Sequence, residues 1–276
     1  MRIAITGHRG QLGTALQQAL AGHELLGLDL PEHDISDRAA LQSALHGFAP
    51  DVVVHTAGYT DVDGCARDPD RALRANGLGT QNVALAATAS DAALLYVSTN
   101  EVFPGDRGEP YLEYDPPRAG NAYGYSKWVG ERYVEQLCRR FYIVRISWLF
   151  GGPRSFVTKM LALSAERREL AVVDDEVGNP TYAPDLAKAM GRLIATGQYG
   201  IYHLVNEGAC SRYEFARTIL RQAGREEVLI RPIKLAEYHR DSTPPPRAVL
   251  RNYAAAALGI RLRPWPEALA DHLQPR

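Results

Sequence analysis

Tyr123 and Lys127 stand four positions apart in the run Asn121-Ala122-Tyr123-Gly124-Tyr125-Ser126-Lys127, about two dozen residues after Ser98-Thr99. On a helix, positions four apart share a face, so the phenol and the ammonium would point into one space. A free phenol has a pKa of about 10 and is a poor proton donor or acceptor at neutral pH; a fixed cation beside it favours the ionised form and would move it toward a useful value. Such a pair can move a proton at an oxygen. Tyr and Lys at this spacing also occur on many exposed helices, so the pair gains meaning only from the elements that would hold it.

Those elements begin at the N-terminus. Residues 3–6 are a short apolar β-rich run, followed by Gly7-His8-Arg9-Gly10-Gln11-Leu12-Gly13 and a helical stretch to about residue 21. A strand feeding a Gly-x-x-Gly-x-x-Gly turn that opens a helix is the context of a dinucleotide site. Glycines let the backbone turn tightly and approach a pyrophosphate, and the helix N-terminus offers N–H groups and positive potential to the phosphates. The next strand, 24–28, ends in Asp29, 19 residues beyond Gly10, where an acid can accept from ribose hydroxyls. Arg9 lies inside the turn, and its guanidinium suits a 2'-phosphate, so NADP(H) and NAD(H) both stay open as cofactors. Asp34 and Ile35 follow with an N-cap at Ser36 or Asp37, and Ala57-Gly58-Tyr59 after the apolar strand 52–55 would let a cofactor lie across the strand end. With strands at 94–98 and 142–146, a helix from 70 toward 89 interrupted near Gly77 and Gly79, and a helix at 123–139, the order reads as βαβ units. The expected fold is α/β: a doubly wound, Rossmann-like parallel sheet, residues 1–151, with a smaller intertwined C-terminal substrate-binding lobe, 152–276. In that lobe helices are expected at 156–168, 184–196, 211–223 and 265–273, and short strands at 170–173, 202–205 and 229–231. The cofactor face comprises Gly7, Arg9, Gly10, Gln11, Leu12, Gly13, Asp29, Asp34, Ile35, Ala57, Gly58, Tyr59 and Ser98, together with Tyr123 and Lys127.

Composition removes several other functions. A net charge of -1 over 276 residues gives no global field for nucleic acid or an anionic membrane. No apolar run approaches the roughly 18 residues of a spanning helix, and the N-terminus reads as a strand and not as a signal peptide, which predicts a cytoplasmic protein. Cys65, Cys138 and Cys210 are far apart and the eight histidines are scattered, so no metal site is expected.

Jointly the motifs resemble the extended short-chain dehydrogenase/reductase family, in particular its branch that reduces nucleotide-linked 4-keto-6-deoxy sugars. The resemblance runs nearly end to end, through Gly7 to Gly13, Pro50 to Asp63, Ser98-Thr99, Tyr123 to Lys127, Val144-Arg145-Ile146-Ser147-Trp148 and Gly178 to Ala187. It implies a catalytic set Thr99, Tyr123 and Lys127. By that analogy Tyr123 gives a proton to the developing alkoxide, Thr99 holds the same oxygen, and Lys127 holds the nicotinamide ribose and biases the phenol. Preorganised donors aimed at one oxygen fit the charge that develops there. The resemblance implies a nucleotide-sugar substrate, contacted by Thr99, Asn100, Glu101, Trp148 and Arg247, and leaves room for a homodimer. Some members hold Mg2+ at a dimer contact through carboxylates, and no acidic cluster in this sequence can be assigned to that role. Two stretches depart from the branch. Asn100-Glu101 stand where Asp-Tyr is usual, and Pro245-Pro246-Arg247-Ala248-Val249-Leu250 replaces an Arg-Pro-x-Asn-Ser stretch. Two alternatives remain beside the reductase: an epimerase or dehydratase of the same superfamily, and a non-catalytic cofactor-binding regulatory subunit.

Overall fold

Six parallel strands order themselves β2-β1-β3-β4-β5-β10 in the computed structural model, which describes residues 1–274. They are β1 (Arg2–Thr6), β2 (Glu24–Leu28), β3 (Val52–His55), β4 (Ala93–Thr99), β5 (Phe141–Ile146) and β10 (Gly200–His203). The order reverses between β1 and β3, and at such a switch point a crevice opens at the carboxyl ends of the strands. The chain leaves β1 at Gly7 and β3 at Thr56, side by side in that crevice, with Thr56 Oγ1 donating to the Thr6 carbonyl at 2.8 Å.

Alternation along the strands decides the two faces. Ile3, Ile5, Val52, Val54, Leu95 and Val144 pack toward helices α1 (Gln11–Ala19) and α8 (Ala183–Thr196). Ala4, Val53, Leu94, Tyr96 and Ile143 pack toward α2 (Arg38–Phe48), α5 (Gly79–Ala89) and α6 (Ala122–Leu137). Both faces are therefore apolar, which is why these strands read as continuous apolar runs. Asp37, not Ser36, caps α2, accepting from Ala40 N at 3.0 Å. The interruption expected near Gly77 is a turn of π-helix, Leu73–Leu78, between α4 (Pro69–Ala72) and α5. A short helix the sequence reading lacked, α3 (Val62–Arg67), follows the β3 loop, capped by Asp61.

Beyond residue 151 the chain divides its loyalties. The strand expected at 202–205 as part of the smaller lobe is β10 and extends the main sheet beside β5, pairing Tyr202 with Val144. Its buried Tyr202, with Leu204 and the apolar face of α8, completes the main core. A second core forms around Phe150, Phe215, Trp265 and Leu269 and joins α7 (Phe156–Glu166), α9 (Arg212–Gln222), α11 (Trp265–Leu273) and the parallel pair β7 (Glu169–Val173) and β12 (Leu229–Ile233). Ser211 and Glu214 form a reciprocal capping box that starts α9, as the Ser-x-x-Glu spacing predicts. The prolines at 244–246 lie in irregular chain between β12 and a short helix, α10 (Tyr253–Ala257). Among the described residues no helix is long and apolar enough to cross a membrane.

Candidate active site

A single groove of about 2450 Å³ runs over the carboxyl ends of the strands and is walled on the other side by α7, β7 and the chain around Arg240. It is lined by Gly7, Arg9, Gly10, Gln11, Leu12, Asp29, Asp34, Ile35, Ala57, Gly58, Tyr59, Ser98, Thr99, Asn100, Glu101, Tyr123, Lys127 and Trp148. The sequence-predicted residues are thus brought together from seven separate stretches, with two exceptions. Gly13 is buried beneath the turn and does not line the groove. Arg247, expected to contact substrate, is exposed outside it, and its Nε donates to the Gly108 carbonyl at 2.9 Å. The cause is local: residues around Arg247 form bridges, Val177 to Arg247 and Tyr111 to Leu250, that lay this stretch along the loop after β4 and turn the guanidinium outward.

The dinucleotide end fits its expected ligand. Gly7 has φ +69, open to glycine at no steric cost, and a Cβ there would sit 2.7 Å from Ala57 N, so only glycine lets β1 and β3 deliver their loops to one place. No side chain caps Gly10, the residue before α1, which leaves the first-turn amides of α1 available to a phosphate, and α1 carries no acid in that turn. Asp29 accepts the Arg9 amide at 2.8 Å and the Leu30 amide at 2.9 Å.

The position of Tyr123 follows from how α6 docks. Asn121 caps the helix by accepting from Gly124 N at 2.8 Å, and a Cβ on Gly124 would lie 2.0 Å from the Glu101 carbonyl oxygen. Only a glycine between Tyr123 and Tyr125 lets α6 press onto the turn after Thr99, and that contact brings the Tyr123 phenol to the Thr99 hydroxyl. Lys127 is buried, its Nζ 4.3 Å from the centre of the Tyr96 ring. Asn76, in the π-helical turn, binds both sides together. Its Oδ1 accepts from Tyr59 N at 2.8 Å, and its Nδ2 donates to the Tyr59 carbonyl and to Ser126 Oγ, each at 2.9 Å. Ser98 Oγ donates to the buried carboxylate of Glu131 at 2.5 Å, and Glu131 is paired with buried Arg145 at 2.8 Å.

The electrostatics differ from the sequence expectation at one point. Lys127 was expected to draw the Tyr123 phenol toward ionisation; instead burial, then the Glu101 carboxylate, hold the phenol well above its ordinary value, and a hydrogen bond with Thr99 opposes them only in part. Burial also pushes the Lys127 ammonium down to about 7, against the pull of Glu131, so this cation does not stand at full strength. Burial raises the Glu101 carboxyl to about 7 as well, although Asn121 Nδ2 donates to it at 2.7 Å. Asn100 turns its amide to the Ala248 carbonyl at 3.1 Å, leaving Glu101 without a second carboxylate beside Thr99.

Several groove residues lie outside the sequence reading. Arg154, Lys159, Arg212 and Arg240 line the same cavity. Arg212 stacks 3.6 Å over the Trp148 ring while bonding Glu176 at 2.9 Å, and Arg240 bonds Asp63 at 3.0 Å. Trp148 itself has φ +40, a left-handed backbone a bulky residue adopts at a cost of order 1–3 kcal/mol. Scattered arginines carry no spacing signal, and Asn76 looks like any polar residue of a helix until the π-turn aims it inward. Among the described residues no group of three or more His, Cys, Asp or Glu is placed to hold a metal ion.

The chain is similar to known proteins along nearly its whole length. A family model described as the RmlD substrate binding domain matches residues 1–276. The spore coat polysaccharide biosynthesis protein SpsK of Bacillus subtilis is 38% identical over 278 residues, covering 100% of this chain and 98% of its own. The dTDP-4-dehydrorhamnose reductase of Streptomyces griseus is 38% identical over 280 residues, covering 98% and 92%. Among solved structures, that of the dTDP-4-dehydrorhamnose reductase of Bacillus anthracis, in complex with NADP, superposes with a TM-score of 0.95 at 36% identity and covers 98% of each chain.

Proposed function

The chain belongs to the RmlD substrate binding domain family, and from that premise we propose that it is an NAD(P)H-dependent reductase of a nucleotide-linked 4-keto-6-deoxy sugar, converting dTDP-4-dehydrorhamnose to dTDP-rhamnose. The observation that carries the reading is the meeting, in one groove, of the glycine turn with Thr99, Tyr123 and Lys127. The sequence reading of 152–276 as the lobe that receives the sugar nucleotide belongs to the same proposal. It is supported by Arg154, Lys159 and Arg212, cations suited to a diphosphate, on that side of the groove.

A reduced nicotinamide supplies the hydride when bound. The first-turn amides of α1 would hold its pyrophosphate, Asp29 and Arg9 would meet the adenosine ribose, and Lys127 would reach the other ribose. Tyr123 and Thr99 address the ketone oxygen. Because burial and Glu101 raise the phenol, it enters the reaction protonated, which is the state a donor needs. As negative charge gathers on the ketone oxygen, that oxygen becomes more basic than a phenolate and takes the Tyr123 proton, while Thr99 keeps its hydrogen bond to the same atom. Dehydration would require an acid and a base beside Thr99. Asn100 occupies one of those places with its amide turned away, which favours reduction.

The test is oxidation of NADPH and NADH, followed by nicotinamide absorbance, against dTDP-, GDP- and UDP-linked 4-keto-6-deoxy sugars. Turnover is expected with the dTDP sugar first. Cofactor binding without nicotinamide oxidation on any of them would overturn the reductase reading and leave the two alternatives.

A further inference from the structure

Beside the glycine turn, one guanidinium and one carboxylate face each other at the mouth of the groove. Arg9 Nη1 reaches Glu32 at 3.0 Å and the Leu30 carbonyl at 2.5 Å. Both side chains are about half exposed, 53% for Arg9 and 56% for Glu32. Asp29, the acid next to them, spends one oxygen on the Arg9 amide and the other on the Leu30 amide. Arg9 and Asp29 line the groove; Glu32 stands just outside it. The Arg9 guanidinium, inside the glycine turn and beside Asp29, is therefore already matched by a carboxylate of this chain.

We propose that Glu32 sets the balance between phosphorylated and unphosphorylated dinucleotides by competing with a 2'-phosphate for the Arg9 guanidinium; the inference rests on the cofactor reading given above. Carboxylate and phosphate are rivals for the same fork of N–H donors. NADPH must displace Glu32 or lie beside a like charge. NADH brings no charge to this spot and leaves the pair in place. Glu32 remains ionised at neutral pH, since a backbone hydrogen bond and then Arg9 hold its carboxyl below the ordinary range. The carboxylate thus weakens one cofactor without touching the other.

The experiment is titration of the full chain with NADPH and NADH by nicotinamide fluorescence, without sugar substrate, for the parent, Glu32→Gln, Arg9→Ala and the double variant. Glu32→Gln is expected to tighten NADPH by roughly fivefold, with NADH moving less than about twofold. On the Arg9→Ala background the same substitution should leave the NADPH-to-NADH ratio unchanged. Binding of both dinucleotides with a ratio that Glu32→Gln does not move, or moves equally with and without Arg9, overturns the inference alone. Failure of either dinucleotide to bind the parent would remove the cofactor reading first.

Discussion

Burial and Glu101 raise the Tyr123 phenol. On the proposed mechanism it therefore holds its proton until a more basic oxygen forms in front of it. Tyr123→Phe removes that proton and keeps the ring, with the glycine turn and Lys127 unchanged. The variant is expected to lose roughly 10²–10⁴-fold in kcat with an unchanged dissociation constant for NADPH; wild-type turnover would take Tyr123 out of the mechanism. Glu101 makes a different prediction. Its carboxyl, raised by burial from 4.5 to about 7, faces Asn121 on α6, Tyr123, Glu176, Arg240 and Arg212. The folded state keeps a proton that the unfolded chain releases between those values, so stability falls as pH rises through that window and is fully restored below it. Glu101→Gln carries no charge to bury. It should be more stable than the parent by roughly 1–3 kcal/mol around pH 8 and gain nothing near pH 4. Chemical denaturation at the two pH values checks this, and an equal difference at both would mean the carboxyl is not desolvated.

Between residue and fold stands the π-helical turn Leu73–Leu78, an element whose one extra residue per turn aims Asn76 at both the β3 loop and α6. Asn76 is 1% exposed and makes three hydrogen bonds through one carboxamide. Asn76→Ala leaves the part-buried Tyr59 amide without its partner and its carbonyl with only the weak Cys65 thiol donor at 3.6 Å, for which roughly 1–3 kcal/mol of stability should be lost. Because Ser126 Oγ also donates to the Tyr123 carbonyl at 2.7 Å, the first turn of α6 loosens with it, and kcat should fall about tenfold or more even where the variant is fully folded. A loss of stability with unchanged kcat would reduce Asn76 to a packing residue. The same element marks where sequence reading stops. Gly7 and the Tyr123-Lys127 spacing were legible because a turn needing positive φ and a helix face of period near 3.6 both write themselves into local sequence. The π-turn was visible only as an interruption at Gly77, since nothing in the run Leu73 to Leu78 separates it from a broken helix. Strand β10 was legible as a strand but not as the partner of β5, because an apolar run of four residues does not say which edge it will join. The phenol's direction of shift was misjudged because Lys127 is itself desolvated, and that burial depends on packing against residues such as Tyr96, on another strand far away in the chain.

At the scale of the whole molecule the groove lies between two cores that share their chain. Tyr182 of β9 (Thr181–Tyr182) belongs to the second core, and Ala183, the next residue, begins the α8 face of the first. Two ion pairs, Arg240 with Asp63 and Arg67 with Asp241, tie the segment before the prolines to α3. Neither core can open without disturbing the other, so the chain should unfold in one cooperative transition. A ligand that lies across the groove contacts both sides and should raise that single transition as a unit. At a free concentration near 100 times its dissociation constant, NADPH should add about 2.7 kcal/mol to the unfolding free energy, which for a chain of this length corresponds to a rise of roughly 5–10 °C. Differential scanning calorimetry reads both statements together. A melt in two steps, with NADPH moving only one of them, would show that the lobes are energetically separate and that the groove is walled by a partner it does not depend on.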